Sequence, residues 1–127
     1  MNSIDTNIAL RFLLNDVPQQ SNKAKQVLSN PPVYLSDVVV TETVYVLEKS
    51  LGYPRTSVAA LIGVLIAVPG LVYSDHLIPD VVKMYERKGS LSFVDCYAAI
   101  EARMFGANLY TFDKKLIAQG GSHVVAP

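Results

Sequence analysis

The chain has 127 residues, and its eleven lysines and arginines balance eleven aspartates and glutamates. Half of the residues are hydrophobic and 17% are charged. These values exclude a disordered chain and a polybasic tail protein, and they argue against broad, non-specific nucleic-acid binding, which shows as excess positive charge.

The first expected elements are a short strand at Asn2–Ile4 and a helix over Thr6–Leu14. Asp16, Pro18 and Gln19 occupy the capping positions of a second helix, which Asn30-Pro31-Pro32 ends. Val33–Ser36 reads as a strand. Asp37 then opens a helix to about Ser50, closed by Gly52, although the β-branched run Val38–Val40 also suits a strand. Pro54–Ala67 forms the next helix, stopped by Pro69-Gly70, and Leu71–Ser74 is a strand. Asp75 and Pro79 open a helix that ends at Gly89. Ser92 opens another to about Phe105, with Gly106 as its stop. Leu109–Phe112 is a strand, Asp113–Gln119 a short helix, and His123–Val125 the last strand.

Strands separated by helices imply an α/β fold with a parallel sheet and helices on both faces. No repeat, linker or low-complexity run divides the chain, so residues 1–127 read as a single domain. The one cysteine, Cys96, excludes a disulfide-stapled scaffold and fits a reducing cytoplasm. Met1–Asp5 lacks the basic start of a signal peptide, and the apolar run Val58–Val68 is too short to span a bilayer. No membrane association is expected.

The acids carry the chemistry. In an open parallel sheet, ligands bind beyond the carboxyl ends of the strands. Asp5 and Asp113 stand at such ends. Taken singly, each is more readily explained as a helix N-cap. Asp95 follows Ser92 by three residues, the spacing of a capping box, but Asp is shorter than the usual Glu or Gln and reaches back less well. Glu42 is the most informative acid, because it lies inside a helix and caps nothing. Its neighbours three and four residues away are Val38, Val39, Tyr45 and Val46, with no basic partner among them. A carboxylate turned on an apolar surface is costly unless something binds it, so a functional role is expected there.

Four carboxylates in one pocket repel one another, and a divalent cation relieves that repulsion. An all-oxygen set suits Mg²⁺ or Mn²⁺. His76, Cys96 and His123 lack the spacing of a zinc site. Carboxylate-held Mg²⁺ serves mainly phosphoryl transfer and phosphodiester hydrolysis.

Four segments carry a resemblance. They are Ile4-Asp5-Thr6-Asn7, Leu35-Ser36-Asp37-Val38-Val39-Val40-Thr41-Glu42, Leu91-Ser92-Phe93-Val94-Asp95 and Leu109-Tyr110-Thr111-Phe112-Asp113. In order and spacing the chain resembles PIN-domain ribonucleases, most closely the VapC-type toxins of type II toxin–antitoxin pairs. The resemblance implies a PIN-like three-layer α/β fold, with a short parallel sheet flanked by helices. It implies an acidic pocket of Asp5, Glu42, Asp95 and Asp113 holding one or two Mg²⁺ or Mn²⁺ ions, with Asp5 and Asp95 as the usual metal-binding pair. Asn7 and Thr111 match polar residues flanking that pocket. Toxins of this type cut RNA, often structured RNA such as tRNA. A small cognate antitoxin covers the site, and they are usually homodimers.

Other residues carry weaker signals. Asn7, Arg11 and Asn15 form a polar stripe on an otherwise apolar helix, and Arg11 suits a phosphate or an antitoxin carboxylate as well as solvent. Lys114 and Lys115, directly after Asp113, invite the same two readings. So do Lys83, Arg87 and Lys88, whose position near a helix end already satisfies the helix dipole. Tyr97 reads as core, and Cys96 as a small apolar group rather than a nucleophile. No GxxxxGK[ST], GxGxxG or HExxH motif is present.

Two other function classes compete with the metal-dependent endoribonuclease: a catalytically inactive PIN-like module that binds or regulates a partner, and an aspartyl-phosphate protein. Intact acids argue against the first. Asp5-Thr6-Asn7, where the second expects Asp-x-Asp, argues against the other. Setting the four acids aside leaves eleven basic residues against seven acidic ones, so the neutral total conceals a body of +4 around an acidic site.

Overall fold

The computed structural model describes residues 1–127. The chain forms two compact units, Met1–Asp75 and His76–Pro127.

The first unit holds β1 (Asn2–Ser3), α1 (Thr6–Leu14), α2 (Pro18–Leu28), β2 (Val33–Tyr34), α3 (Asp37–Tyr45), α4 (Arg55–Ile66) and β3 (Leu71–Val72). The strands pair in parallel in the order β1-β2-β3, with Asn2 opposite Val33 and Val33 opposite Leu71. Each strand is only two residues long, but flanking backbone bonds extend the ladder: Ile4 N donates to Tyr34 O and Leu35 N to Val72 O. Gly70 leads into β3 at φ +78°, where a side chain is strained and a Cβ would overlap Pro31. The fully buried Ala9 of α1 and Ala24 of α2 let those two helices meet closely. Val33, Leu35, Val40, Leu47, Val58, Ile62 and Leu65 are buried to within 1% and form the heart of this unit's core.

The run Val38–Val40 is helical. Ser36 caps α3 by accepting from Val39 N at 3.2 Å. Thr41 and Thr43 return their hydroxyls to the carbonyls of Asp37 and Val39 one turn back, a bond that suits threonine to a helix despite its β-branch. α3 does not run unbroken to Ser50. It widens into a π-helical turn over Val46–Ser50, where Leu51 N donates to Val46 O. Glu48 on that turn ion-pairs with Lys49 and with Arg55 at the start of α4.

Two expected caps are not made. Val17, not Asp16, is the N-cap of α2, and Asp16 instead ion-pairs with Arg11 at 2.6 Å. Asp75 does not open the next helix, which starts at Ile78 after Leu77 with Pro79 in its first turn. Asn15 is no ordinary member of a polar stripe: it ends α1 in the left-handed conformation at φ 52°, which Asn tolerates better than most residues.

The second unit holds α5 (Ile78–Arg87), α6 (Phe93–Met104), β4 (Leu109–Tyr110), α7 (Lys114–Gln119) and β5 (Val124–Val125). β4 and β5 pair in parallel, Leu109 opposite Val124. α5 buries Ile78, Val81, Met84 and Tyr85, an i, i+3, i+6, i+7 stripe, and α6 buries Phe93, Cys96, Ala99 and Ile100. The Tyr85 and Phe93 rings meet edge-on, with centroids 5.6 Å apart. His123 lies 2.6 Å through Nε2 from Ala99 O, tying the β5 end to α6. No helix of the chain is long and apolar enough to cross a membrane.

Candidate active site

Asp5 follows the carboxyl end of β1 and caps α1, its Oδ1 accepting from Ile8 N at 2.9 Å. Asp95 occupies the third position of α6 and completes a capping box. Ser92 Oγ accepts from Asp95 N at 3.0 Å, and Asp95 Oδ2 accepts from Ser92 N at 3.3 Å. The shorter acid therefore does reach back, contrary to the expectation from its length. Asp113 follows β4 and caps α7, its Oδ1 accepting from both Lys115 N and Leu116 N. The capping readings are thus realised at all three aspartates, and they consume one carboxylate oxygen each. The second oxygen of each side chain makes no hydrogen bond within the protein. Capping orients these carboxylates without exhausting them as ligands.

Glu42 lies on α3 and is exposed. The burial cost that singled it out does not arise. Val38 and Tyr45, one turn to either side, are themselves 77% and 62% exposed, so the face is apolar but uncovered. Thr111 Oγ1 accepts from Asp113 N at 3.0 Å and so shapes the turn that presents Asp113. Arg11 reaches Asn7 Oδ1 through Nε at 3.5 Å and Asp16 through Nη1, so its guanidinium is already engaged. Lys114 is exposed.

The acids fall two to a unit: Asp5 and Glu42 in the first, Asp95 and Asp113 in the second. No group of three or more His, Cys, Asp and Glu side chains is gathered as a ready metal-binding set. The sequence also pointed past one acid beyond a strand end. Asp37 follows β2, is half-buried and has one carboxylate oxygen shielded from solvent. Its only visible signal was its place after Leu35-Ser36, which a helix opener also explains.

Residues 3–121 match the family model described as PIN domain. The chain belongs to the PIN-domain family. The match takes in both units and all four acids. No curated protein sequence matches the chain. PIN domains are generally nucleases and generally use divalent metals. The donor chemistry of this PIN domain fits such an ion: hard carboxylate oxygens, three held by caps with one oxygen to spare and the fourth exposed. Of the softer candidates, Cys96 is buried and His123 Nε2 lies 2.6 Å from Ala99 O.

Proposed function

We propose that the chain is a Mg²⁺- or Mn²⁺-dependent endoribonuclease and the toxin of a toxin–antitoxin pair, with Asp5, Glu42, Asp95 and Asp113 as its acidic site. One observation carries the nuclease reading: a PIN match over nearly the whole chain keeps all four acids, three of them oriented by caps that leave an oxygen for a ligand. A divalent ion held by these acids supplies the charge neutralisation and water activation that phosphodiester hydrolysis requires. The chain's own part is orientation. The backbone N–H groups of Ile8, Ser92 and Lys115 fix the three aspartates, and Thr111 sets the approach to Asp113. Asn7 and Thr111 flank the acids. Lys114 contacts the RNA, and Arg11 meets RNA or antitoxin by exchanging its Asp16 pair.

The toxin reading rests on the VapC-like order of the four segments. Exposed apolar residues beside the acids support it: Val38 and Tyr45 flank Glu42, Val94 precedes Asp95, and Phe112, 87% exposed, precedes Asp113. Such residues suit a covering antitoxin segment, and an exposed aromatic also suits base stacking. In this reading the protein works in the cytoplasm as a single PIN nuclease domain and a homodimer, and structured RNA such as tRNA is its substrate. One observation favours the competing reading of an inactive binding module, the lack of a gathered metal-binding set. The two readings part on one assay. A purified chain incubated with labelled RNA is expected to cleave it with Mn²⁺ or Mg²⁺, to stop in EDTA and to resume when Mn²⁺ is restored. Intact RNA under all three conditions would contradict the nuclease reading and leave the binding module.

A further inference from the structure

The second unit carries a cleft of about 220 Å³ that none of the four acids lines. Lys83 and Arg87 of α5, Lys88 at its C-cap and Arg103 of α6 line it, with Asp80 as the one acid. Four of the chain's eleven cations therefore line one cleft with one of its eleven acids. Lys83, Arg87 and Arg103 are exposed, and none of their side chains makes an ion pair or hydrogen bond within the protein. Unneutralised cations grouped in a concavity raise the local concentration of anions.

The cleft's build selects among anions. Asp80, Lys83, Met84 and Arg87 recur at i, i+3, i+4 and i+7, so they share one face of α5. Lys83 and Arg87 are about 6 Å apart along the helix axis, a spacing that suits neighbouring phosphates of an extended strand. Met84 and Ile100, 8% and 5% exposed, add a little apolar lining at the cleft's floor. Gly120 adds wall without a side chain, since a Cβ there would stand 2.6 Å from Leu116 O. Asp80 repels either polyanion, but it can accept a hydrogen bond from a ribose 2′-hydroxyl, a donor that every ribonucleotide carries. The cleft is also set apart from the acids of its unit. On α6, Arg103 lies eight residues beyond Asp95, about 12 Å along the axis. On α7, Asp113 caps the start while Gln119 and Gly120 line the cleft at the end.

We propose that this cleft is a subsite for the phosphate backbone of single-stranded RNA, holding the strand away from the acids. The choice of RNA as ligand rests on the nuclease reading. The test is binding of a short labelled single-stranded RNA, followed by fluorescence anisotropy across a salt series in EDTA, where no cleavage occurs. Each lost phosphate contact flattens the log–log salt slope by about 0.7 for a single strand. The triple variant Lys83→Gln/Arg87→Gln/Arg103→Gln is expected to flatten it by about 2 and to bind about tenfold more weakly. Lys23→Gln, on α2, is expected to leave the slope unchanged. Lys83→Glu, a single change on an exposed helix face, guards against misfolding and is expected to weaken binding more than Lys83→Gln. An unchanged slope in the triple variant, or no RNA binding by the wild type, overturns the subsite. So does a polyglutamate peptide whose binding the triple variant loses while RNA binding persists. Metal-dependent cleavage by the wild type, measured in parallel, reports separately on the nuclease reading.

Discussion

Asp95→Asn is expected to lose RNA cleavage by about a hundredfold or more while the protein keeps its fold. The argument turns on what the substitution leaves in place. Asp95 Oδ2 accepts from Ser92 N to close the capping box, and under the proposed function its carboxylate also supplies negative charge to the acidic site. Asparagine has the same shape and retains a carbonyl oxygen for the Ser92 N–H. The box therefore survives, and the melting temperature is expected to stay within about 3 °C of wild type. Only the charge is lost, and with it the attraction for a divalent ion. Asp95→Ala removes both functions, so it is expected to cost a further ~1 kcal/mol of stability with no greater loss of cleavage. Cleavage assays beside thermal melts of both variants separate the two roles. Full cleavage by Asp95→Asn would remove Asp95 from the site.

Tyr85→Ala is expected to destabilise the second unit by about 3–5 kcal/mol, a large share of the ~5–15 kcal/mol that holds an ordinary domain together. Tyr85 is only 1% exposed, and its ring meets the edge of Phe93 at 70°. Truncation removes the buried ring, leaves a cavity and forfeits an aromatic contact worth ~1 kcal/mol. The effect reaches the site because Phe93 is the first residue of α6, between the Ser92 cap and Asp95. Loss of the ring loosens the turn that aims Asp95. The milder Tyr85→Leu keeps much of the volume and is expected to fold with a loss of about 1–3 kcal/mol. Its cleavage is expected to fall about tenfold at a temperature where it remains native, since small misplacements of catalytic groups are costly. Urea denaturation followed by far-UV circular dichroism reads the first effect. An unchanged midpoint for Tyr85→Ala would contradict the packing described here.

Much of this was legible in the residues. α1 spans Thr6–Leu14 as expected and Asp5 caps it, while Asn15, expected in a polar stripe, ends it in the left-handed conformation. The Val38–Val40 run is helical with Ser36 as its cap, a local signal that β-propensity alone does not weigh. What spacing could not show was the environment of a face. Val38, Glu42 and Tyr45 share one side of α3, as spacing says, but whether that side is covered depends on tertiary packing, and it is open. Asp16 was readable as a cap, yet its carboxylate pairs with Arg11 and Val17 takes the cap position. The basic cleft was least legible of all. Lys83, Arg87 and Lys88 are neighbours in sequence, but Arg103 and Gln119–Gly121 join them only through the packing of α6 and the end of α7. Read alone, those cations are helix-end charges; grouped in a concavity, they become a binding surface.

The central proposal is that the chain binds Mg²⁺ or Mn²⁺ through its acids, Glu42 and Asp95 among them. Calorimetric titration of the wild-type chain with Mn²⁺ tests it most directly, beside Glu42→Gln from the first unit and Asp95→Asn from the second. The account predicts saturable binding by the wild type and at least tenfold weaker binding by each variant. Wild-type protein that takes up no Mn²⁺, or wild-type affinity in both variants, would contradict it.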